Sequence, residues 1–134
     1  MRDNTFLIDS NVFLQILLHT PESEESKDFL DRHSNECRTS IYNLMEIISV
    51  LSRKYHWKRT EIEDVISVLK DAMDIYVPDE YDSLNAYELT YEYLLTPIDA
   101  LLLSIAQREG LTLITYDKDL VRHHGKICEI KLPE

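Results

Sequence analysis

Glycine and proline are scarce in this chain, two and four among 134 residues. That scarcity excludes collagen-like, linker-rich and low-complexity organisation, and no internal repeat divides the sequence into modules. Long apolar runs are also missing, so no segment is suited to spanning a bilayer. Cysteine occurs only as Cys37 and Cys128, too few for a disulfide scaffold, and both are read as reduced and buried. Met1-Arg2-Asp3-Asn4 does not begin a signal peptide and Asp9 interrupts the first apolar run, so a soluble cytoplasmic protein is expected. Basic residues are outnumbered, 14 Lys and Arg against 25 Asp and Glu, for a net charge of −11. The average field therefore repels nucleic acid. Local contact stays open, through divalent cations set between carboxylates and phosphates or through a clustered basic face, and the charge suits a basic partner protein.

What is present is a hydrophobic content of 44%, enough for one domain over residues 1–134 with its own core. The stretch Thr5-Phe6-Leu7-Ile8-Asp9-Ser10-Asn11 organises it. A short unbroken apolar run reads as a buried parallel strand, and ligands in open α/β sheets sit beyond the carboxyl ends of the strands. Asp9, where this run stops, therefore points into the expected crevice.

Along the chain, Val12, Phe13, Ile16 and Leu17 predict a helix from Asn11 to His19, and Pro21 opens a second one with Glu22, Glu24 and Glu25 at its positive end. Cys37-Arg38-Thr39-Ser40 is a candidate second strand. A helix over Ile41 to Tyr55 follows, with Ile41, Leu44, Met45, Ile48 and Leu51 on one arc. That arc leaves Glu46 on the solvent side, beside Tyr42, Asn43 and Arg53. Arg53 to Arg59 interleaves cations with Tyr55 and Trp57. Two readings stand side by side: a segment that grips phosphates and stacks on bases, or cations that complement a helix end while the aromatics close the core.

Thr60-Glu61-Ile62-Glu63 resembles a capping box and begins a helix with Ile62, Val65, Ile66 and Leu69 inward. Ile75 to Val77 reads as a strand stopped by Pro78. The next helix carries Leu84, Tyr87, Leu89, Tyr91 and Leu94, with its tyrosines taken as residues of the core edge. Thr96-Pro97-Ile98-Asp99 marks a helix start and Gly110 its stop, which gives Asp99 a structural explanation in the first turn. Leu111 to Thr115 repeats the opening pattern and runs into Tyr116-Asp117-Lys118-Asp119. A short helix over Leu120 to His124, with His123 and His124 on the surface, precedes a strand from Ile127 to Leu132. Strands separated by helices imply right-handed crossovers and a parallel sheet covered on both faces.

These residues together resemble the PIN domain, the metal-dependent ribonuclease fold of VapC-type toxins and related nucleases. The resemblance spans nearly the whole chain. It rests on Ile8-Asp9-Ser10-Asn11, on Ser40 with Glu46 six residues later, on Asp99-Ala100-Leu101, and on Thr115-Tyr116-Asp117-Lys118-Asp119. It implies a three-layer α/β/α fold around a central parallel five-stranded sheet in the order 3-2-1-4-5. It also implies that Asp9, Glu46, Asp99 and Asp117 converge as catalytic residues and ligands for Mg²⁺ or Mn²⁺. Asp119 would add a contact, and Ser10, Asn11, Ser40 and Thr115 would support the carboxylates. Arg53, Lys54, Lys58 and Arg59 are speculative substrate contacts. The implied activity is hydrolysis of RNA phosphodiester bonds, by a homodimer held in check by a small antitoxin with a basic inhibitory segment. In that strand order Cys37 and Cys128 lie beyond disulfide reach.

Two departures from the family pattern concern substrate and partner surfaces rather than the acids: Leu101-Leu102-Leu103, where smaller residues are frequent, and Tyr116. A rival reading is a catalytically silent PIN-like module that binds RNA or protein. A phosphatase with an Asp nucleophile fits poorly, because Asn11 stands where the dehalogenase-like type has a second acid.

Overall fold

The computed structural model describes residues 5–134, so the reading of Met1 to Asn4 as no signal peptide lies outside the described residues. The chain begins with β1 (Phe6–Ile8), α1 (Ser10–Leu17), α2 (Ser23–Arg32) and β2 (Cys37–Ser40). It continues through α3 (Ile41–Ser49), a π-helical turn (Val50–Lys54), α4 (Arg59–Ala72) and β3 (Ile75–Tyr76). It ends with α5 (Glu80–Tyr93), α6 (Pro97–Glu109), β4 (Thr112–Ile114), α7 (Lys118–Val121) and β5 (Ile130–Lys131). The strands are all parallel and ordered β3, β2, β1, β4, β5, the order that the resemblance to the PIN domain implied. Among the described residues, no single helix is long and apolar enough to cross a membrane.

Alternation along the strands makes the three layers. Leu7 and Leu113 project to one face, where Leu102, Leu103, Ile105 and Ala106 of α6 cover them. Ile8 and Ile114 project to the other, against Val12, Phe13, Phe29, Ile47 and Ile62 of α1 to α4. Successive side chains point to opposite faces, so an unbroken apolar strand must be covered on both. Cys37 and Cys128 are free thiols; Cys37 is buried in β2, whereas Cys128, in the bend before β5, is half-buried rather than buried as expected. Burial pushes them up to about 11 and about 12, leaving both protonated at neutral pH.

Several local expectations are corrected. The second helix starts at Ser23 rather than Pro21. The helix expected to reach Tyr55 stops at Ser49 and loosens into the π turn. The buried face of α3 is Asn43, Leu44 and Ile47, continued by Leu51, while Met45 and Ile48 are exposed. Burial here follows the neighbouring strand ends rather than hydrophobicity alone. Helix α4 begins at Arg59, and the side chain of Glu61 accepts from the Lys58 N–H at 3.0 Å. The tyrosines of α5 are not core-edge residues: Tyr87 and Tyr91 are 72% and 80% exposed. Helix α7 starts at Lys118, capped by Asp117, and β5 shrinks to two residues. His123 is buried rather than on the surface, its ring edge-on to Tyr93, because the chain turns under that tyrosine after α7. His124 Nδ1 accepts from the Ile130 N–H at 2.9 Å, a structural role.

A buried ionic clamp joins α5 to α6. Asp82 is fully buried; Arg108 Nη2 donates to its Oδ2 at 2.8 Å and Ser104 Oγ to its Oδ1 at 2.8 Å. The same carboxylate accepts from the Asp79 N–H at 2.9 Å, closing the capping box of α5. One side chain thus starts one helix and anchors the next, the helix that presents Asp99.

Candidate active site

The carboxyl edge of the sheet is built by register. Ile8 lies opposite Ile114 in the parallel pair, so Asp9 and Thr115 leave their strands side by side, and the Asp9 N–H donates to the Ile114 carbonyl at 2.9 Å. The Asp9 backbone is extended and caps α1, its side chain accepting from the Ser10 N–H at 2.8 Å. Ser and Asn after the acid suit this turn, because short polar side chains satisfy free helix-end groups.

Asp9 is held from several directions. Oδ2 accepts from Thr115 Oγ1 at 2.8 Å and from Asn11 Nδ2 at 3.4 Å. Oδ1 accepts from the Ser10 N–H and from Asn43 Nδ2 at 3.0 Å. Thr115 Oγ1 in turn accepts from Asn11 Nδ2 and from the Asp117 N–H, both at 3.0 Å. Asn11 Oδ1 accepts from the Tyr116 N–H at 3.0 Å, which fixes its amide. Ser10 Oγ donates to Glu46 Oε1 at 2.6 Å, joining α1 to α3. Ser40 caps α3 and reaches the acids only through Asn43, to whose Oδ1 it donates at 2.7 Å.

Asp99 sits in the first turn of α6, after Thr96 as cap and Pro97 at the first helical position. Its own N–H donates to Thr96 Oγ1 at 3.3 Å. Asp117 caps α7 by accepting from the Asp119 N–H at 2.9 Å. Asp119 thereby contributes its backbone, while the residue as a whole is exposed. Three of the four acids hold helix-terminal positions, and for Asp9 and Asp117 the capping and site roles coincide in the same side chain.

Electrostatics shows these acids to be neighbours. Burial pushes Asp9 up to about 6, against the hydrogen bonds of Thr115 and Ser10, and the charges of Glu46 and Asp99 push the same way. Asp99 is raised by burial and by Asp117 and Glu46, with Thr96 opposing. Among the described residues none of the four acids has an ion-pair partner. Also among them, no three His, Cys, Asp or Glu side chains are disposed around one cation. Glu46 is drawn onto Ser10 and Asp117 onto its own helix.

Tyr116 flanks the crevice and ties β4 to α2 through Ser26 Oγ and Glu25 Oε1, each 2.9 Å from its hydroxyl. Burial, with Glu25 and Glu22 beside it, pushes this phenol up to about 12. The basic segment is not brought to the acids. Arg53 and Lys54 end the π turn, seven or more residues past Glu46, about 10 Å along a helix. Lys54 lies over the Tyr55 ring, and Arg59 is bonded to Glu63 at 2.6 Å. Trp57 packs on the core. Sequence patterns missed Asn43: a polar residue on a wheel is assigned to solvent unless something buried is known to need it. The serine three residues before it, as in a capping box, was the available signal.

Fold and site define an α/β protein with a carboxylate crevice where the central parallel strands end. The PIN domain family model matches residues 6–126, and the chain belongs to the PIN domain family. Among curated proteins none matches the chain. Among solved structures, a toxin–antitoxin complex from Klebsiella pneumoniae is similar at TM-score 0.75 and 25% identity, covering 97% of this chain and 98% of its own. A DNA-bound VapBC from Salmonella typhimurium has a TM-score of 0.79 at 15% identity, covering 98% and 100%. VapC20 from Mycobacterium tuberculosis, a sarcin-ricin loop cleaving toxin, has 0.76 at 14% identity, covering 88% and 94%. The last two show the fold alone.

Proposed function

We propose that this chain is a divalent-metal-dependent endoribonuclease and the toxin of a toxin–antitoxin pair. The observation that carries the reading is the set of four acids, Asp9, Glu46, Asp99 and Asp117, linked by mutual repulsion at one sheet edge and, among the described residues, without an ion-pair partner. An all-carboxylate donor set fits a hard, oxygen-preferring cation, and Mg²⁺ keeps several waters and needs only one or two direct carboxylates. The chemistry such an ion supplies is neutralisation of phosphate charge and acidification of water.

The protein's part is positioning. Asp9, Asp99 and Asp117 hold the cation, and Glu46 joins them directly or through water. Thr115, Asn11 and Ser10 keep the Asp9 carboxylate oriented, Ser40 acts through Asn43, and Asp119 fixes Asp117. Arg53, Lys54, Lys58 and Arg59 hold the phosphates of an RNA strand running from the crevice along α3.

RNA incubated with the protein and Mg²⁺ or Mn²⁺ is expected to be cut, and EDTA to stop the cutting; Lys54→Ala with Lys58→Ala raises KM and leaves kcat unchanged. The rival is a silent module binding RNA or protein. Absence of Mn²⁺ binding at millimolar concentration decides for it.

A basic antitoxin segment suits an acidic crevice in a cytoplasmic protein of net charge −11. The toxin–antitoxin complexes among the structural neighbours support such a partner. A homodimer is supported by the apolar outer face of α5 and the turn after it, where Leu84, Tyr87, Tyr91 and Leu94 are all exposed. Light scattering is expected to give the mass of two chains for the native protein and of one for the double variant Leu84→Glu, Tyr91→Glu. A native protein with the mass of a single chain overturns this assignment.

A further inference from the structure

Asn43 is 3% exposed and lies on the inward face of α3, although neither hydrophobicity nor charge puts it there. Its amide has one possible orientation. Oδ1 accepts from Ser40 Oγ at 2.7 Å and from the Ser40 N–H at 3.2 Å, while the nearby Thr39 hydroxyl donates to the Ile8 carbonyl at 2.9 Å. Two donors on the oxygen turn Nδ2 towards Asp9 Oδ1, 3.0 Å away. The capping box of α3 requires only the oxygen, since a Glu in the same position serves as well. The amide hydrogens are surplus to that task and are spent on the buried carboxylate.

We infer that Asn43 is a positioning residue for the cation site, fixing the Asp9 carboxylate from the β2 side as Thr115 fixes it from the β4 side. This rests on the metal-dependent reading given above. Asp9 is itself 9% exposed, so solvent is a poor substitute for a missing donor. Without Asn43, Oδ1 keeps only the Ser10 N–H and a 3.3 Å contact from Ser10 Oγ, and that hydroxyl is committed to Glu46. Thr115 and Asn11 still hold Oδ2, but the β2 side of the carboxylate is left without its side-chain amide donor and its orientation is less tightly set. Hydrogen-bond partners of ligating side chains characteristically set metal affinity in this way.

The test compares Mn²⁺ binding by calorimetry in the full chain, native, Asn43→Ala and Asn43→Thr, with thermal midpoints in EDTA measured alongside. Asn43→Thr keeps a hydroxyl near Ser40 but is too short to reach Asp9, and it covers the case in which the alanine variant folds poorly. Both variants are expected to bind Mn²⁺ about 10-fold more weakly, and to lose kcat on RNA with KM little changed. If the native chain binds Mn²⁺ and both Asn43 variants bind it equally well, the positioning role is overturned while the metal-dependent reading stands. Lack of Mn²⁺ binding by the native chain overturns the reading and the positioning role together.

Discussion

Asp9→Asn is expected to abolish metal-dependent RNA cleavage and, in EDTA at pH 8, to raise the thermal midpoint by a few degrees. The sign of the second effect follows from the buried carboxylate. Burial, with Glu46 and Asp99 adding to it, lifts Asp9 to about 6 in the folded chain, against about 3.9 when unfolded. A carboxyl raised on folding costs stability once ionised: the metal-free protein is most stable below the unfolded value, loses stability as pH rises through about 6, and stays lower above it. A two-unit difference corresponds to roughly 3 kcal/mol. The amide gives back part of this, because its NH₂ no longer accepts from Thr115, at about 1 kcal/mol per lost hydrogen bond. The net gain, roughly 1–2 kcal/mol, amounts to several degrees for a chain of this size. At pH 4 the gain should vanish, since the native carboxyl is then protonated. Equal destabilisation at both pH values, by differential scanning calorimetry, would contradict the repulsion that the cation is proposed to relieve.

Arg108→Ala should cost far more, about 3–5 kcal/mol at neutral pH, by stranding the Asp82 carboxylate among apolar neighbours. The native guanidinium, together with Ser104 and the Asp79 N–H, holds Asp82 below the usual carboxylate range despite the opposing effect of burial. That stabilisation is full above the unfolded carboxylate value and is lost as pH falls through the depressed folded one. In the variant, burial acts unopposed by a cation and the sign reverses. Urea unfolding should therefore show the largest gap between native and variant near pH 7 and a narrowing gap towards acid. A gap independent of pH would mean that the loss comes from packing of the arginine stem alone. Replacing the pair together, Asp82→Leu with Arg108→Met, should recover much of the loss.

The architecture was legible because its signals are local and repeated. Two apolar runs end in acids, Thr96-Pro97 opens a helix, Gly110 closes it, and the structure keeps each of these. The site was legible only in part. Asp9 and Asp117 announce themselves at strand ends, but Asp99 has an adequate local explanation in Thr96 and its own helix turn. Helix α3 shows why periodicity stops short: the wheel puts Glu46 and Asn43 together on the solvent side, and the structure exposes Glu46 but buries Asn43. A helical wheel distinguishes apolar from polar and assumes that polar means solvent, whereas the inward face of α3 carries Asn43 because a buried carboxylate lies opposite it. The same assumption buried Met45 and the α5 tyrosines, which the structure exposes. Both errors have one origin: contacts between elements distant in sequence decide which face of a helix is inside, and no single helix encodes them.

The hydrogen bond from Thr115 to Asp9 spans 106 positions of the chain, and this gives the crevice a history in time. Synthesis delivers Thr115 roughly 5–20 s after Asp9 at ordinary elongation rates. Throughout that interval the first acid exists without the hydroxyl that orients it and without Asp117, and for most of it without Asp99. The nascent chain therefore has no assembled carboxylate crevice until β4 has docked, and a chain released before residue 115 has none at all.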